Sequence, residues 1–189
     1  MAQRLAIFAS GSGTNAENII KYFSNHKDIS VDLVITNNPD AYVIQRAKTH
    51  NISCSVINRK DFYNSDNLTK VLADTEIDWI ILAGFLWLIP EFLVSAFPNK
   101  IINIHPALLP KYGGKGMYGH RVHQSVFDNF EKETGITIHY VNEAYDEGQI
   151  IFQAKTSLGL KDTPDVIAQK IHELEYAHFP QVIEGEINK

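Results

Sequence analysis

The chain has 189 residues, of which 44% are hydrophobic and 21% are charged, and its formal net charge at pH 7 is −5. This length suits one domain that buries about two-thirds of its unfolded surface. The acidic balance gives no general attraction to nucleic acid or anionic membranes, and no apolar stretch is long enough to predict a transmembrane helix. Because Cys54 is the only cysteine, an intramolecular disulfide is excluded, and we expect the protein in the reducing cytoplasm.

The first half of the chain alternates short apolar runs with segments of helical period, a pattern typical of a parallel sheet covered by helices. Parallel strands are buried on both faces, so they are expected to be continuously apolar. Five strands are predicted, at Leu5–Ala9, Val31–Thr36, Cys54–Ile57, Trp79–Ala83 and Ile101–Ile104. Helices are predicted between them, at Asn15–Ser24, Tyr42–His50, Lys60–Ala73 and from Pro90 to Ala96.

The second half of the chain predicts a different arrangement. Gly135–Val141 and Ile150–Thr156 are predicted as two strands that can pair, and a last helix is predicted to begin at Asp162-Thr163-Pro164. Pro106–Gly119, with four glycines and two prolines, is predicted as a long irregular loop with a functional role. The predicted fold class is therefore α/β: a Rossmann-like, open, mostly parallel sheet with helices on both faces and antiparallel strands in the C-terminal half.

A glycine-rich loop, Ser10-Gly11-Ser12-Gly13-Thr14-Asn15, lies between the first predicted strand and the first predicted helix. Glycines allow a sharp turn, and the free N–H groups at the start of a helix attract an anion. Thr14 and Asn15 add side-chain donors, so Gly13, Thr14 and Asn15 are candidate phosphate ligands. The loop is neither a GxGxxG motif nor a Walker loop. The alternative is a tight turn in which Thr14 or Asn15 caps the helix.

Asn103-Ile104-His105-Pro106 lies at the carboxyl end of the fifth predicted strand, the edge at which open α/β sheets bind ligands. Strand alternation puts Asn103 and His105 on the same face, about 6.5–7 Å apart. An amide and an imidazole placed in this way could both contact one reacting carbonyl. The alternative for His105 is an ordinary structural histidine, and for His139, in the Ile136–Val141 run, we expect a supporting or structural role.

Tyr145-Asp146-Glu147-Gly148 is predicted in the turn between the last two strands. A carboxylate beside a histidine raises the pKa of the imidazole, so Asp146 is a candidate partner that keeps His105 protonated. The alternative is an Asp-x-Gly turn with no further role. His120 and His123 have no obvious third ligand nearby, so no metal site is predicted.

Taken together, INIHPALLPKYGGKGMYGHRVHQSV, GITIHYV and YDEGQIIFQ resemble the phosphoribosylglycinamide formyltransferases, the small folate-dependent enzymes of purine synthesis. The resemblance runs from Leu5 to about Pro180. Asn-x-His-Pro-x-Leu-Leu-Pro is specific to folate-dependent formyltransferases, and the SGSGTN loop narrows the choice to the glycinamide enzymes. The resemblance implies one domain of the formyltransferase type, with a phosphate-binding half at 1–100 and a catalytic and folate-binding half at 101–189.

The resemblance assigns catalysis to Asn103, His105 and Asp146. A protonated His105 and the amide of Asn103 would hydrogen-bond the formyl oxygen, while Asp146 would keep His105 charged and help to move the proton released by the amine. The implied reaction is direct transfer of the formyl group of 10-formyltetrahydrofolate to the amine of phosphoribosylglycinamide. It involves no metal, nucleotide or covalent enzyme intermediate.

The resemblance also assigns the binding residues. Glu175 would contact the glycinamide or its ribose, and Trp87 stands where many relatives carry arginine, which bears on folate affinity more than on the reaction. The loop from Gly113 to His120 is longer than in some relatives, so no roles are transferred to it. The expected partners are small molecules only, with no nucleic acid and no membrane, in a monomer or a homodimer. The phosphate would be bound by Gly13, Thr14 and Asn15, and the folate by Arg59, Leu86, Trp87, Leu88, Ile89 and Asn103.

Other functions stay open at this point. A formyltetrahydrofolate hydrolase shares the same three residues but gives the formyl group to water, and it usually has an extra N-terminal domain. Methionyl-tRNA formyltransferase is expected to have a C-terminal RNA-binding domain and an excess of basic over acidic residues. Sugar-amine formyltransferases are longer and lack the SGSGTN loop. A non-catalytic phosphate- or nucleotide-binding module explains the glycine loop but gives Asn103, His105 and Asp146 no shared purpose. The transferase is therefore the expected function.

Overall fold

The computed structural model describes residues 2–189, with the side chains of all of these except residues 65 and 66. The chain divides into two compact units, one ending at Ile102 and the other beginning at Asn103. Each unit has its own strands and helices. The prediction that the whole chain forms one domain stays a prediction.

The first unit contains parallel strands in the order β3-β2-β1-β4. In the register of these strands, Ile7 lies opposite Val34 on one side and Ile81 on the other. The elements are β1 (Gln3–Phe8), α1 (Thr14–Phe23), β2 (Ile29–Thr36), α2 (Val43–Thr49), β3 (Ser53–Val56), α3 (Arg59–Phe62), α4 (Ser65–Asp74), β4 (Trp79–Leu82) and α5 (Glu91–Ala96). β5 (Ile101–His105) begins at the end of this unit.

The core of the first unit follows from the continuously apolar strands that the sequence predicts. Leu5, Ile7 and Phe8 of β1 have no exposed surface, and all four residues of β4 are buried. α1 contributes Ile19 and Phe23 to the same core. Burying a large aliphatic or aromatic side chain stabilises a fold by about 1.5–3 kcal/mol, so these strands hold the unit together.

The second unit contains α6 (His120–Asp128), β6 (Glu133–Tyr140), β7 (Ile150–Ser157) and α7 (Pro164–Ile187). β6 and β7 pair antiparallel, with Thr137 opposite Gln153. α7 packs against α6, β6 and β7. Its N-cap is Thr163, whose Oγ1 accepts from the Val166 N–H at 3.4 Å, and Pro164 occupies the first turn, as predicted.

Two helices differ from the predictions. The segment predicted as one helix, Lys60–Ala73, is two helices, α3 and α4, because α3 ends at Phe62 and Tyr63 follows outside helical geometry. α6 was not predicted at all. Its buried face holds only Val122, His123 and Val126, which is too short an apolar pattern to stand out beside the glycine-rich loop.

The described chain is therefore a mostly parallel α/β protein with an antiparallel strand pair in its C-terminal half, which confirms the predicted fold class. Across residues 2–189 we find no helix that combines the length and the apolar character of a membrane span.

Candidate active site

The three predicted catalytic residues lie together in the second unit, around the carboxylate of Asp146. Its Oδ1 accepts from Asn103 Nδ2 at 3.4 Å, and its Oδ2 lies 3.5 Å from His105 Nδ1. Oδ2 also accepts from the backbone N–H of Gly114 at 2.9 Å. The structure thus brings the predicted trio together, with one carboxylate oxygen facing each of the other two side chains.

A tight turn between β6 and β7 places this carboxylate. Asp146 has a φ of 57°, a left-handed conformation that aspartate tolerates better than most residues. Two residues later the chain passes so close to β6 that a Cβ on Gly148 would lie 1.7 Å from the Tyr140 carbonyl oxygen. Only glycine fits there. The Asp-x-Gly turn predicted as the alternative is therefore present, and it carries the carboxylate to the other two residues.

His139 fixes the orientation of the Asn103 amide. The His139 ring is 2% exposed, and its Nδ1 lies 2.9 Å from the Tyr140 carbonyl oxygen, which can only accept. Nδ1 therefore donates to this carbonyl, and Nε2 lies 3.0 Å from Asn103 Nδ2 and 3.6 Å from Asp146 Oδ1. The Asn103 amide nitrogen consequently faces His139 and Asp146. This contact gives His139 the supporting position expected for it.

His105 is held from two sides. Its ring is 3% exposed, and Nε2 donates to the backbone carbonyl of Tyr112 at 2.8 Å, while Nδ1 faces Asp146. Tyr112 lies in the predicted loop, and its hydroxyl donates to Glu131 Oε1 at 2.9 Å, the oxygen that also accepts from Lys111. The sequence indicated a functional loop here but not that one of its carbonyls would contact the imidazole.

The ionisation of His105 differs from the prediction. Burial lowers the pKa of this imidazole below its ordinary value, although the charge of Asp146 and the Tyr112 carbonyl act in the opposite direction. For Asp146, burial alone would raise the pKa, but interactions with His139, His105 and the Gly114 N–H together hold it below the ordinary value. Asp146 therefore raises the pKa of His105, as expected, but desolvation outweighs this effect, so the expectation that His105 is kept protonated is wrong for the free chain.

Glu175 lies on α7, in the same unit, and is 5% exposed. Its Oε2 lies 2.9 Å from Nδ1 of His172, a residue that the sequence analysis did not select. His123 of α6 is 3% exposed. Its burial, and to a lesser extent the charge of His172, lower the pKa of His123 to about 4. Its Nδ1 has no hydrogen-bond partner in the described chain. Within residues 2–189, no three His, Cys, Asp or Glu side chains are grouped to hold a metal ion.

The predicted phosphate loop lies in the first unit, between β1 and α1. Gly13 is the N-cap of α1 with a φ of 71°, and no side chain caps the helix, so the predicted capping by Thr14 or Asn15 is wrong. A Cβ on Gly13 would lie 2.4 Å from Val43 Cγ2, so the loop requires glycine here. Arg46 of α2 donates from Nε to the Ser12 carbonyl at 2.8 Å. The loop is thus supported from α2 and leaves the first turn of α1 without a side-chain cap.

Of the residues predicted to bind folate, Arg59 and Trp87 belong to an aromatic cluster in the first unit, whereas Asn103 lies in the second. The Arg59 guanidinium lies 5.2 Å from the Tyr63 ring centroid and 5.7 Å from that of Trp87. The Tyr63 and Trp87 rings stack at 6.3 Å, and the Tyr63 hydroxyl donates to the Leu88 carbonyl at 3.1 Å. Leu86 is 43% exposed, whereas Ile89 is buried. The sequence did not point to Tyr63, which joins Arg59 to the predicted segment.

Comparisons with known proteins all lead to one family. The profile of the formyl transferase family, described as "Formyl transferase", matches residues 3–183. The chain is 36% identical to phosphoribosylglycinamide formyltransferase of Bacillus subtilis (strain 168), over 96% of this chain and 93% of that protein. It is 38% identical to the chloroplastic phosphoribosylglycinamide formyltransferase of Arabidopsis thaliana, over 96% of this chain but only 64% of that longer protein. The crystal structure of phosphoribosylglycinamide formyltransferase from Bacillus Halodurans superposes with a TM-score of 0.89 at 35% identity, covering 99% of this chain and 96% of that one.

Proposed function

Because the chain belongs to the formyl transferase family, and within it to the phosphoribosylglycinamide formyltransferases, we propose that it transfers the formyl group of 10-formyltetrahydrofolate to the amine of phosphoribosylglycinamide. The products are formylglycinamide ribonucleotide and tetrahydrofolate. The observation that carries the proposal is the arrangement of Asn103 and His105 about the single carboxylate of Asp146. A phosphate-binding module without catalysis needs no such arrangement.

The proposed transfer begins with attack of the neutral glycinamide amine on the formyl carbon. A tetrahedral intermediate forms, and its oxygen gains negative charge. Asn103 Nδ2 and His105 Nε2 are the donors proposed to stabilise this oxyanion, each worth about 3–4 kcal/mol in sites of this kind. In the free chain Asn103 Nδ2 faces His139 and Asp146, and His105 Nε2 donates to the Tyr112 carbonyl. We infer that the oxyanion competes with the Tyr112 carbonyl for the His105 hydrogen as its charge develops, since an anionic oxygen is a stronger acceptor than a carbonyl.

Proton movement in this scheme depends on Asp146. The attacking amine must lose a proton, and the departing folate nitrogen must gain one, so a group that accepts and returns a proton completes the balance. The low pKa of Asp146 keeps it ionised at neutral pH and available to accept hydrogen bonds. We propose that the proton passes by way of this carboxylate, through water, while the nearby negative charge favours protonation of His105 as the oxyanion forms.

The remaining binding roles are proposed from the local geometry. The uncapped first turn of α1, at Gly13, Thr14 and Asn15, supplies N–H groups for the substrate phosphate. Glu175 is proposed to accept hydrogen bonds from the glycinamide substrate. The chemistry needs no metal, since the oxyanion is stabilised by hydrogen-bond donors. The folate is proposed to lie against Arg59, Leu86, Trp87, Leu88, Ile89 and Asn103.

Replacing Arg59 with leucine is expected to raise KM for the formyl folate about tenfold and to leave kcat within about twofold. The guanidinium lies over Trp87 and Tyr63 and is the cation of this cluster, and one hydrogen bond to a charged ligand contributes about 1.5–3 kcal/mol. Lys100→Leu, which removes another cation from over a tryptophan ring, is the matched control. Steady-state kinetics with both substrates provide the measurement, and an unchanged KM for the folate would remove Arg59 from the proposed site.

The proposed activity is tested by following the absorbance of the folate product with 10-formyltetrahydrofolate or 10-formyl-5,8-dideazafolate, with and without phosphoribosylglycinamide. Folate deformylation that requires the glycinamide is the expected result. Deformylation at the same rate without it would identify a hydrolase and contradict the proposal.

We further propose that the protein acts in the cytoplasm, as one domain, as a monomer or a homodimer.

A further inference from the structure

Two acceptors compete for the hydrogen of the His105 ring. Its Nε2 lies 2.8 Å from the Tyr112 carbonyl oxygen, whereas its Nδ1 lies 3.5 Å from Asp146 Oδ2. Because burial lowers the pKa of His105, the ring in the free chain is neutral at neutral pH and carries a single N–H. The short contact to the carbonyl places this hydrogen on Nε2, the nitrogen that the proposed reaction uses as a donor.

The position of this hydrogen decides whether the neutral His105 ring can donate. A carboxylate is a stronger acceptor than a carbonyl, so without the Tyr112 contact the hydrogen is drawn to Nδ1, on the side of Asp146. Nε2 would then be an acceptor with no hydrogen for the formyl oxygen. Since hydrogen-bond partners set which ring nitrogen of a histidine is protonated, the Tyr112 carbonyl selects the tautomer that the reaction needs.

Tyr112 reaches His105 from an unfavourable backbone conformation. Its φ is 58°, in the left-handed region that few bulky residues adopt, so contacts outside the residue must hold it there. Earlier in the loop, the Leu109 N–H donates to Thr137 Oγ1 of β6 at 3.0 Å, which ties the chain to the strand. Tyr112 itself borders a cavity of about 300 Å³, lined by residues 108–112 and by residues of β6 and β7. On this side the tyrosine is therefore not fixed by close packing.

Glu131, between α6 and β6, holds the loop at this point. Its Oε1 accepts from the Tyr112 hydroxyl at 2.9 Å and from Lys111 Nζ at 2.9 Å, so one oxygen binds two successive loop residues. The hydrogen bond from Lys111, and then that from Tyr112, lower the pKa of Glu131, which is therefore ionised at neutral pH. Burial, and then the hydrogen bond to Glu131, raise the pKa of Tyr112 to about 12, so its hydroxyl stays a donor.

We propose that Glu131 is a positioning residue for the formyl transfer: by holding Tyr112, it keeps the Tyr112 carbonyl against His105 Nε2 and so keeps the ring hydrogen on that nitrogen. This inference rests on the proposed function and adds to it a residue that acts on the reaction only through the loop. Glu131 does not contact the reacting atoms. Its loss is therefore expected to slow the chemical step and to leave the binding of both substrates unchanged.

The test uses Tyr112→Phe, which keeps the ring but removes the hydroxyl, and Glu131→Leu, which removes its acceptor. In both, kcat is expected to fall about tenfold, since the energy of one hydrogen bond is needed to restore the Nε2 tautomer. KM for each substrate is expected to stay within about twofold. Glu131→Gln keeps an oxygen that accepts from the hydroxyl, so its kcat is expected within about twofold of the unchanged protein.

Glu133→Leu is the matched control for Glu131→Leu. Glu133 lies two residues further along the chain and forms an ion pair of the same kind, with Lys155 at 2.8 Å, but its side chain is 53% exposed. This variant is expected to keep the kcat of the unchanged protein.

NMR of the ring nitrogens with ¹⁵N-labelled histidine distinguishes positioning from a merely structural role. The signals of the two nitrogens of a neutral imidazole show which one carries the hydrogen, and those of His105 are identified by their loss in His105→Gln. We expect the hydrogen on Nε2 in the unchanged protein, in Glu131→Gln and in Glu133→Leu. In Tyr112→Phe and Glu131→Leu we expect the form with the hydrogen on Nδ1 to increase. Thermal unfolding verifies that each variant is folded.

The outcomes separate this inference from the proposed function. Folded Tyr112→Phe and Glu131→Leu variants with the His105 tautomer of the unchanged protein would overturn the inference, whatever their kcat. An equal fall in kcat in Glu133→Leu would also overturn it. Absence of glycinamide-dependent turnover in the unchanged protein would overturn the proposed function instead, and the ring-nitrogen signals, which need no turnover, would still decide whether Glu131 positions His105.

Discussion

Replacing His105 with glutamine is expected to lower kcat by about a hundredfold to ten-thousandfold. The imidazole is 3% exposed and faces two acceptors, the Tyr112 carbonyl and the Asp146 carboxylate. Glutamine is similar in length and keeps a neutral N–H donor, so the contact to Tyr112 can be retained. What it cannot do is become a cation as negative charge develops on the formyl oxygen. The loss is therefore expected in the chemical step, with KM for both substrates little changed.

The His105→Gln result is measured by steady-state kinetics, with folate binding determined separately by calorimetry. His26→Gln, the same substitution in the turn after α1, serves as the control, because His26 belongs to no part of the proposed site. A kcat within threefold of the unchanged protein would mean that the imidazole has no part in the reaction. Loss of folate binding together with turnover would instead point to a binding role for His105.

Replacing Asp146 with asparagine is expected to lower kcat by about a hundredfold or more, since the proposed route of the proton is lost. Asparagine suits this position because it tolerates the left-handed φ of 57° and still offers an oxygen to the Gly114 N–H. The fold is therefore expected to persist. The negative charge of Asp146 opposes the effect of burial on His105. Because the variant lacks this charge, the pKa of His105 is expected to fall further.

Acid unfolding provides a second measurement for Asp146→Asn. The folded pKa of Asp146 lies below its ordinary value of about 3.9, so its ionised form stabilises the fold above that pH. This contribution is lost as the pH falls through the folded pKa. The asparagine variant lacks this stabilisation by the ionised carboxylate, so it is expected to lose less stability than the unchanged protein on acidification below about pH 4. Full activity together with wild-type acid unfolding would contradict the role and the environment assigned to this carboxylate.

Much of the fold could be predicted because its strands are buried on both faces. The continuously apolar segments around Ile7, Val34 and Ile81 occupy adjacent strands in the structure, and their boundaries differ from the predictions by one or two residues. α6 could not be predicted, because its buried face contains only two valines and one histidine. The prediction of one helix at Lys60–Ala73 was wrong for a related reason. The helical period of the sequence continues past Tyr63, where the backbone leaves helical geometry, so the pattern does not reveal the break between α3 and α4.

In the site, as in the fold, features marked by a residue pattern could be predicted, whereas features that depend on burial or on backbone contacts could not. Alternation along one strand placed Asn103 and His105 on one face, and a turn motif made Asp146 a candidate, but it was the resemblance to the formyltransferases that joined the three as a trio. The ionisation of His105 was not accessible from sequence, because it depends on how deeply the ring is buried. The contact from the Tyr112 carbonyl and the partnership of His172 with Glu175 were also inaccessible, since neither a backbone carbonyl nor the burial of a helix face has a distinctive residue pattern.

The central claim, that the formyl group passes to the glycinamide, is tested most directly by following the group itself. The protein is incubated with formyl folate carrying ¹³C in the formyl carbon and with phosphoribosylglycinamide, and the products are separated and analysed by mass spectrometry. We expect the label in formylglycinamide ribonucleotide in equal amount to the folate released. Recovery of the label as formate, with the glycinamide unchanged, would contradict the claim.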